Sequence, residues 1–152
     1  ALPRSSSWLF WGKRAGTTPD DNCDGELAWT NLKGPIREFQ HLWRGTCRAS
    51  ETGAIHLAPT QKPIALSFFV YRRAKLKRGD MVFVPHGGSF PDLPAARSMG
   101  LRITACDVEE DCWRIGVAPH RAGTYRYRGD SPQAARSGIR LGTHTSWSCS
   151  AC

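Results

Sequence analysis

The longest apolar run in the chain, Ile64 to Tyr71 (IALSFFVY), is only eight residues long. A membrane-spanning helix needs about twenty apolar residues, so this run reads as a buried element. Its aromatic and β-favouring residues predict a strand. The following stretch, YRRAKLKRGD at 71–80, carries five basic residues and ends on a Gly-Asp turn signal. MVFVP at 81–85 then predicts a second strand. The pair reads as a hairpin whose tip is basic: Arg72, Arg73, Lys75, Lys77 and Arg78.

Elsewhere the chain alternates extended segments with Gly/Pro breaks. Residues 1–24 are rich in Ser, Gly, Pro, Thr and Asp and read as an N-terminal arm pinned by Trp8, Phe10 and Trp11. GELAWTNL opens a strand at Gly25, with Leu27 and Trp29 on one face. Extended segments follow at Phe39–Trp43 and Ala54–Ala58, joined by the turn-forming RASETG. Pro59 and Pro63 then break the chain. Ala95–Leu101 reads as a short helix and LRITAC as a strand. EEDCWRIGVA at 109–118 has helical spacing, with Glu109, Glu110 and Asp111 at the end where acidic side chains complement the helix dipole. After Pro119 the chain is basic and rich in Gly, Ser and Thr. The expected layout is therefore an arm over 1–24, an α+β domain over 25–120, and a basic, flexible tail over 121–152. Its sheet is expected to be antiparallel, of about four to six strands, packed on a helix that bears Cys112.

A length of 152 residues suits one domain with its own core. Six cysteines (Cys23, Cys47, Cys106, Cys112, Cys149, Cys152) are sparse for a disulfide framework in such a chain. Reduced thiols are the favoured expectation, and a secreted, disulfide-bonded binding protein is the alternative. Cys149 and Cys152 form a lone C-x-x-C with no second pair, so no metal is expected. The N-terminus, ALPRSSSWLFWGKR, lacks the long apolar core of a signal peptide. It reads as the product of a cut in a longer chain, although a mature secreted protein would look the same. The net charge of +8, from 21 Lys+Arg against 13 Asp+Glu, favours anionic partners such as RNA, lipid head groups or acidic proteins. A solvated basic face is the plain alternative. Arg-Gly-Asp occurs at 78–80 and 128–130, in basic turn-forming stretches where such tripeptides arise by chance.

Three residues carry the candidate chemistry. Cys112, in the first turn of a helix, faces unpaired N–H groups that stabilise a thiolate, although the three acids before it work against this. A histidine nearby would supply a base. If His41 and His56 lay on adjacent antiparallel strands, their rings would be neighbours, and the three side chains would follow the logic of nucleophile, base and orienting group. The plain alternative is a buried small thiol and two unrelated histidines.

The segments GELAW, GPIREFQHLWRG, GAIHLAP and EEDCWRIGV resemble, in order and local context, the H-box/NC proteins. These are the LRAT-like acyltransferases and phospholipases, PLAAT enzymes among them, and a class of picornavirus 2A proteins. The resemblance covers residues 25 to about 118. It implies a permuted NlpC-type, LRAT-like fold, with His41 as base, His56 as orienting group and Cys112 as nucleophile, and no cofactor. It departs from the family pattern at Leu42, inserted between His41 and Trp43, and at Asp111, where the family has Asn. The resemblance to the viral members, kobuvirus-like in Arg, Pro and Ala usage, implies a non-structural 2A protein of the host cytoplasm. That protein would support RNA replication through host proteins or viral RNA, at replication membranes or free of them, and would not be a protease. An active thiol acyltransferase or phospholipase is the alternative. A literal Asn22-Cys23 with His86 as base, in the non-permuted NlpC order, ranks third.

Overall fold

Pro63, held extended at φ −70° and ψ 144°, is followed at once by helix α1, Ile64–Arg73. The structure is a computed structural model and describes residues 2–14, 23–54, 58, 60–112, 114 and 116. The predicted strand over IALSFFVY is thus a helix, and the predicted hairpin with a basic tip does not form. The reason lies in spacing. Ile64, Phe68 and Tyr71 fall at i, i+4 and i+7, one face of a helix, and that face enters the core. Ile64 and Tyr71 are buried, and Phe68 packs against the same cluster. Burial of a helical stripe overrides the local β propensity of Phe, Val and Tyr. Glu51 Oε2, from a distant turn, accepts the Ile64 N–H at 3.1 Å and satisfies one of the orphan donors at the start of α1.

Helix α1 ends in a Schellman motif. The Lys75 N–H donates to Arg72 O at 3.0 Å and the Leu76 N–H to Tyr71 O at 3.1 Å. Lys75 takes the left-handed conformation, φ 58°, that such an end requires. Helix α2, Asp92–Met99, ends the same way but places Gly100 there at φ 67°. Ala95 and Ala96 on α2 are fully buried. They carry only a methyl, so α1 and α2 approach closely. Tyr71 donates its O–H to Asp92 Oδ1 at 2.8 Å across that contact.

Strands β6, Met81–Val84, and β7, Arg102–Ala105, pair in parallel, Met81 opposite Arg102 and Val84 opposite Ala105. Val82 and Ile103 face the α1–α2 core, which also holds Leu101, Leu76 and Met99. Phe90 is fully buried. Its ring occupies the space beside two glycines: a Cβ on Gly116 would lie 2.3 Å from it and one on Gly87 2.1 Å. Gly116 belongs to a helical stretch at 110–112, 114 and 116, so this glycine lets that helix lean on Phe90.

The N-terminal part forms a separate sheet. Strand β1, Trp8–Gly12, lies at its centre, antiparallel to β2, Gly25–Trp29, and parallel to β3, Arg37–Gln40. Trp8, Phe10 and Trp11, read from sequence as pins of an arm, are therefore residues of the middle strand. Leu27 and Trp29 do share a face, but Leu27 is 67 % exposed. A short hairpin follows, β4 (Trp43–Arg44) and β5 (Cys47–Arg48), turned at Gly45 and Thr46. The molecule is α+β, but among the described residues the strands are divided over three small sheets of mixed pairing rather than one antiparallel sheet. The expected strand at 54–58 falls largely, and the tail at 121–152 entirely, outside the described residues.

Candidate functional site

Residues 39, 41 and 43 alternate along an extended segment, so Phe39, His41 and Trp43 point to one side. The His41 ring stacks on Phe39 at 5.3 Å and 9°, and Trp43 lies 6.2 Å away on the other side, tilted by 33°. Phe39 stacks in turn on Phe69 of α1, and the Arg48 guanidinium sits 4.7 Å over Trp43. Leu42, between them, spaces Trp43 two residues from His41 and so puts it on the same side. Both backbone polar groups of His41 are held: its N–H donates to Gly12 O at 2.9 Å, and its carbonyl accepts the Trp11 indole N–H at 3.1 Å.

The group opposite His41 is Ser50. The β4–β5 hairpin is extended by a bond from the Ala49 N–H to Leu42 O at 2.9 Å, and this brings Ser50 Oγ to 2.9 Å from His41 Nε2. Ser50 Oγ also donates to Glu51 Oε2 at 3.4 Å, and that carboxylate caps α1. Half-burial pushes the His41 imidazole below the ordinary histidine pKa, while the Glu51 charge pulls the other way. A neutral ring at neutral pH is the outcome, and that is the form able to accept a proton. RASETG does turn, with the Ala54 N–H donating to Glu51 O at 3.1 Å, but it is the further turn at Gly45-Thr46 that folds Ser50 back onto His41. His56 lies outside the described residues.

Cys112 sits in the helical stretch that begins at 110. It is half-buried and free, as is Cys106, whereas the free thiols of Cys23 and Cys47 are exposed. Arg114 pairs with Glu110 at 2.7 Å one turn on. Among the described residues, no hydrogen bond or ring contact joins Cys112 to His41. Of the third-ranked set, the Cys23 thiol points back at Gly25 O, and His86 lies near the carboxylate of Asp107. Backbone N–H groups of Glu109 and Gly88 hold that carboxyl below its usual range, with His86 adding to the effect. Among the described residues no group of three or more His, Cys, Asp or Glu side chains is placed to hold a metal ion.

The basic residues fall together differently from the sequence reading. Arg72 and Arg73 close α1, Arg72 over the Phe68 ring at 5.6 Å and Arg73 against the Gly34 turn. Lys75, Lys77 and Arg78 stand exposed on the loop that follows. That loop is tied to the far end of α2: the Gly79 N–H donates to Gly100 O at 2.9 Å, and the Arg102 N–H donates to Asp80 O at 2.8 Å. Arg78 therefore packs on Gly100, and Arg102 Nε donates to Gly79 O at 3.0 Å. Arg97, in the last turn of α2, and Arg102, at the start of β7, are exposed and join the same surface. The acid of this loop, Asp80, is engaged by the Lys77 N–H at 2.8 Å. Arg97 and Arg102 carried no signal in the sequence, since the Gly79–Gly100 bond brings the end of α2 to the loop and the parallel register of β6 and β7 brings Arg102.

No family model, no curated protein and no solved structure matches this chain. Among the described residues, no helix is long and apolar enough to cross a membrane.

Proposed function

We propose that this chain is a viral non-structural protein of the picornavirus 2A type, with the permuted NlpC-type, LRAT-like fold of the H-box/NC class. It works in the host cytoplasm, including at replication membranes, by binding RNA and host proteins rather than by cleaving peptides. The ordered motifs from Gly25 to Cys112 support the class. The observation that carries the binding role is the basic surface, where Arg72, Lys75, Lys77, Arg78, Arg97 and Arg102 are gathered from two helix ends, a loop and a strand. Like charges cost free energy when placed together; a polyanion recovers it, releasing counterions as each phosphate is neutralised.

The test is the affinity of the full chain for labelled RNA across a salt series. The expected slope of log affinity on log salt is about −0.7 per phosphate contacted for a single strand. A variant carrying Lys75→Glu, Lys77→Glu and Arg78→Glu should flatten that slope by about 2 and lose at least tenfold in affinity at moderate salt. Unchanged affinity and slope would contradict the proposal.

The geometry of His41 favours a second reading, an acyltransferase or phospholipase using Cys112, His41 and His56. A fixed, neutral imidazole is what such a site needs of its base. A lipid-like electrophile that labels Cys112, with labelling lost in His41→Ala, supports it. An inert Cys112 thiol removes it.

A further inference from the structure

The two faces of the β6–β7 pair are unlike. Val82 and Ile103 pack on the helical core. Met81, Phe83, Arg102 and Thr104 alternate onto the opposite face, and all four are exposed. Met81 is 61 % exposed and Phe83 63 %. Parallel strands ordinarily have both faces covered, yet no described element covers this one. Its apolar side chains lie beside the basic surface: Lys77 and Arg78 lead into Met81, and Arg102 stands directly opposite Met81 in the register.

Charge decides what fits. The stretch 117–152 carries five arginines against one aspartate, so its charge does not complement this rim. A second copy of the chain brings a net charge of +8 and does not complement it either. A polyanion with apolar faces of its own satisfies both halves of the surface. In duplex RNA the base faces are already stacked on one another and out of reach of a side chain on a flat sheet. In a single strand they are free, and an aromatic ring flanked by cations is the arrangement that receives them.

We propose that the outer face of β6 and β7 is a stacking platform for single-stranded RNA. Phe83 receives a base, Met81 extends the apolar floor, and Lys77, Arg78 and Arg102 hold the flanking phosphates. This rests on the reading of the basic surface as an RNA site and names the form of RNA that it takes.

The test compares the full chain, Phe83→Ala, Phe83→Tyr and a Lys77→Glu/Arg78→Glu variant. Binding is measured to one labelled RNA as a single strand and as a duplex, and to phosphatidylserine vesicles. Because Phe83 is exposed, its replacement should leave the thermal melt unchanged. Expected is a roughly tenfold loss of single-strand affinity in Phe83→Ala, with duplex affinity and salt slope kept, and recovery in Phe83→Tyr. Ultraviolet crosslinking to a uridine-rich strand should map to the peptide holding Phe83. If Phe83→Ala binds the single strand like the wild type while the charge variant fails, the platform is wrong and the polyanion reading survives. If neither variant changes RNA binding, both fall. Loss of vesicle binding in Phe83→Ala, with RNA binding intact, assigns the face to lipid and overturns the proposal.

Discussion

The sheet of β1–β3 and the layer formed by α1, α2, β6 and β7 are held by different physics. The second is an apolar core: Ile64, Tyr71, Ala95, Ala96 and Leu101 are buried, with Phe68, Val82 and Ile103 against them. The first is held largely by polar bonds to aromatic residues. Trp11 and Trp29 donate their indole N–H groups to the backbone carbonyls of His41 and Pro3, and Trp43 beyond the sheet donates to Gln61. Lys13 and Lys62 both pair with Glu26 while lying over the Trp11 ring at 4.9 and 5.6 Å. Burial opposes ionisation of Glu26, but the hydrogen bonds and charges of the two lysines hold its carboxyl below the usual range. Burial is non-directional, so the core can carry a basic surface on its outside. Directional bonds instead fix orientation, and the residue most closely fixed in the polar region is His41.

Cavity formation should separate the two regions most. Phe90→Ala removes a fully buried ring beside Gly87 and Gly116 and should cost about 3–5 kcal/mol in denaturant unfolding. Trp11→Phe keeps a buried aromatic ring but removes the donor to His41 O, costing about 1–3 kcal/mol. In that variant, amide exchange at His41 and Trp43 should rise while α1 and α2 stay protected. Equal losses from both variants would erase the distinction.

The two helix ends give a smaller, signed comparison. Gly100→Ala puts a side chain at φ 67° and should destabilise by about 1 kcal/mol. Lys75→Gly relieves the same strain at φ 58° and should stabilise by up to about 1 kcal/mol. Opposite signs in thermal melts are the expected result.

The smallest effect is the pH dependence from His41. Burial lowers its pKa in the folded chain, so the unfolded chain binds the proton more readily. The contribution is complete above the unfolded value of about 6.5 and is lost as pH falls through the lower folded value. Wild type should lose stability relative to His41→Gln on acidification from about pH 7 to pH 5. Tyr71, raised by burial and then by Asp92, has the opposite dependence: its contribution is complete below about pH 10 and declines above it.

How legible the fold was depended on where each element's partner lies. Strands at 25–29 and 81–84 and the one after Leu101 were visible as short β-rich runs, and α2 was visible but placed a few residues late. β1 was hidden because five residues flanked by Ser and Gly declare a strand only through pairing with β2 and β3. At Ile64–Tyr71 residue type and residue spacing disagreed, and the buried spacing of Ile64, Phe68 and Tyr71 governed. For the candidate site, the extended placement of His41 and Trp43 was visible and the Ser50 contact was not, because arms of two residues leave no pattern. The basic run from Arg72 to Arg78 was visible at once, but its merger with Arg97 and Arg102 depends on the Gly79–Gly100 bond and a parallel register, which no local pattern encodes.

That merger is best tested at Arg102, which lies far along the chain from Lys77 and Arg78 and joins them through its bonds to Asp80 O and Gly79 O and the β6–β7 register. RNA affinity of the full chain should be measured for Arg102→Glu and for Arg78→Glu at one moderate salt concentration. The account predicts losses of similar size, severalfold or more in each. Wild-type affinity in Arg102→Glu alongside a clear loss in Arg78→Glu would mean that RNA meets a local basic run and that the assembled surface has no part in binding.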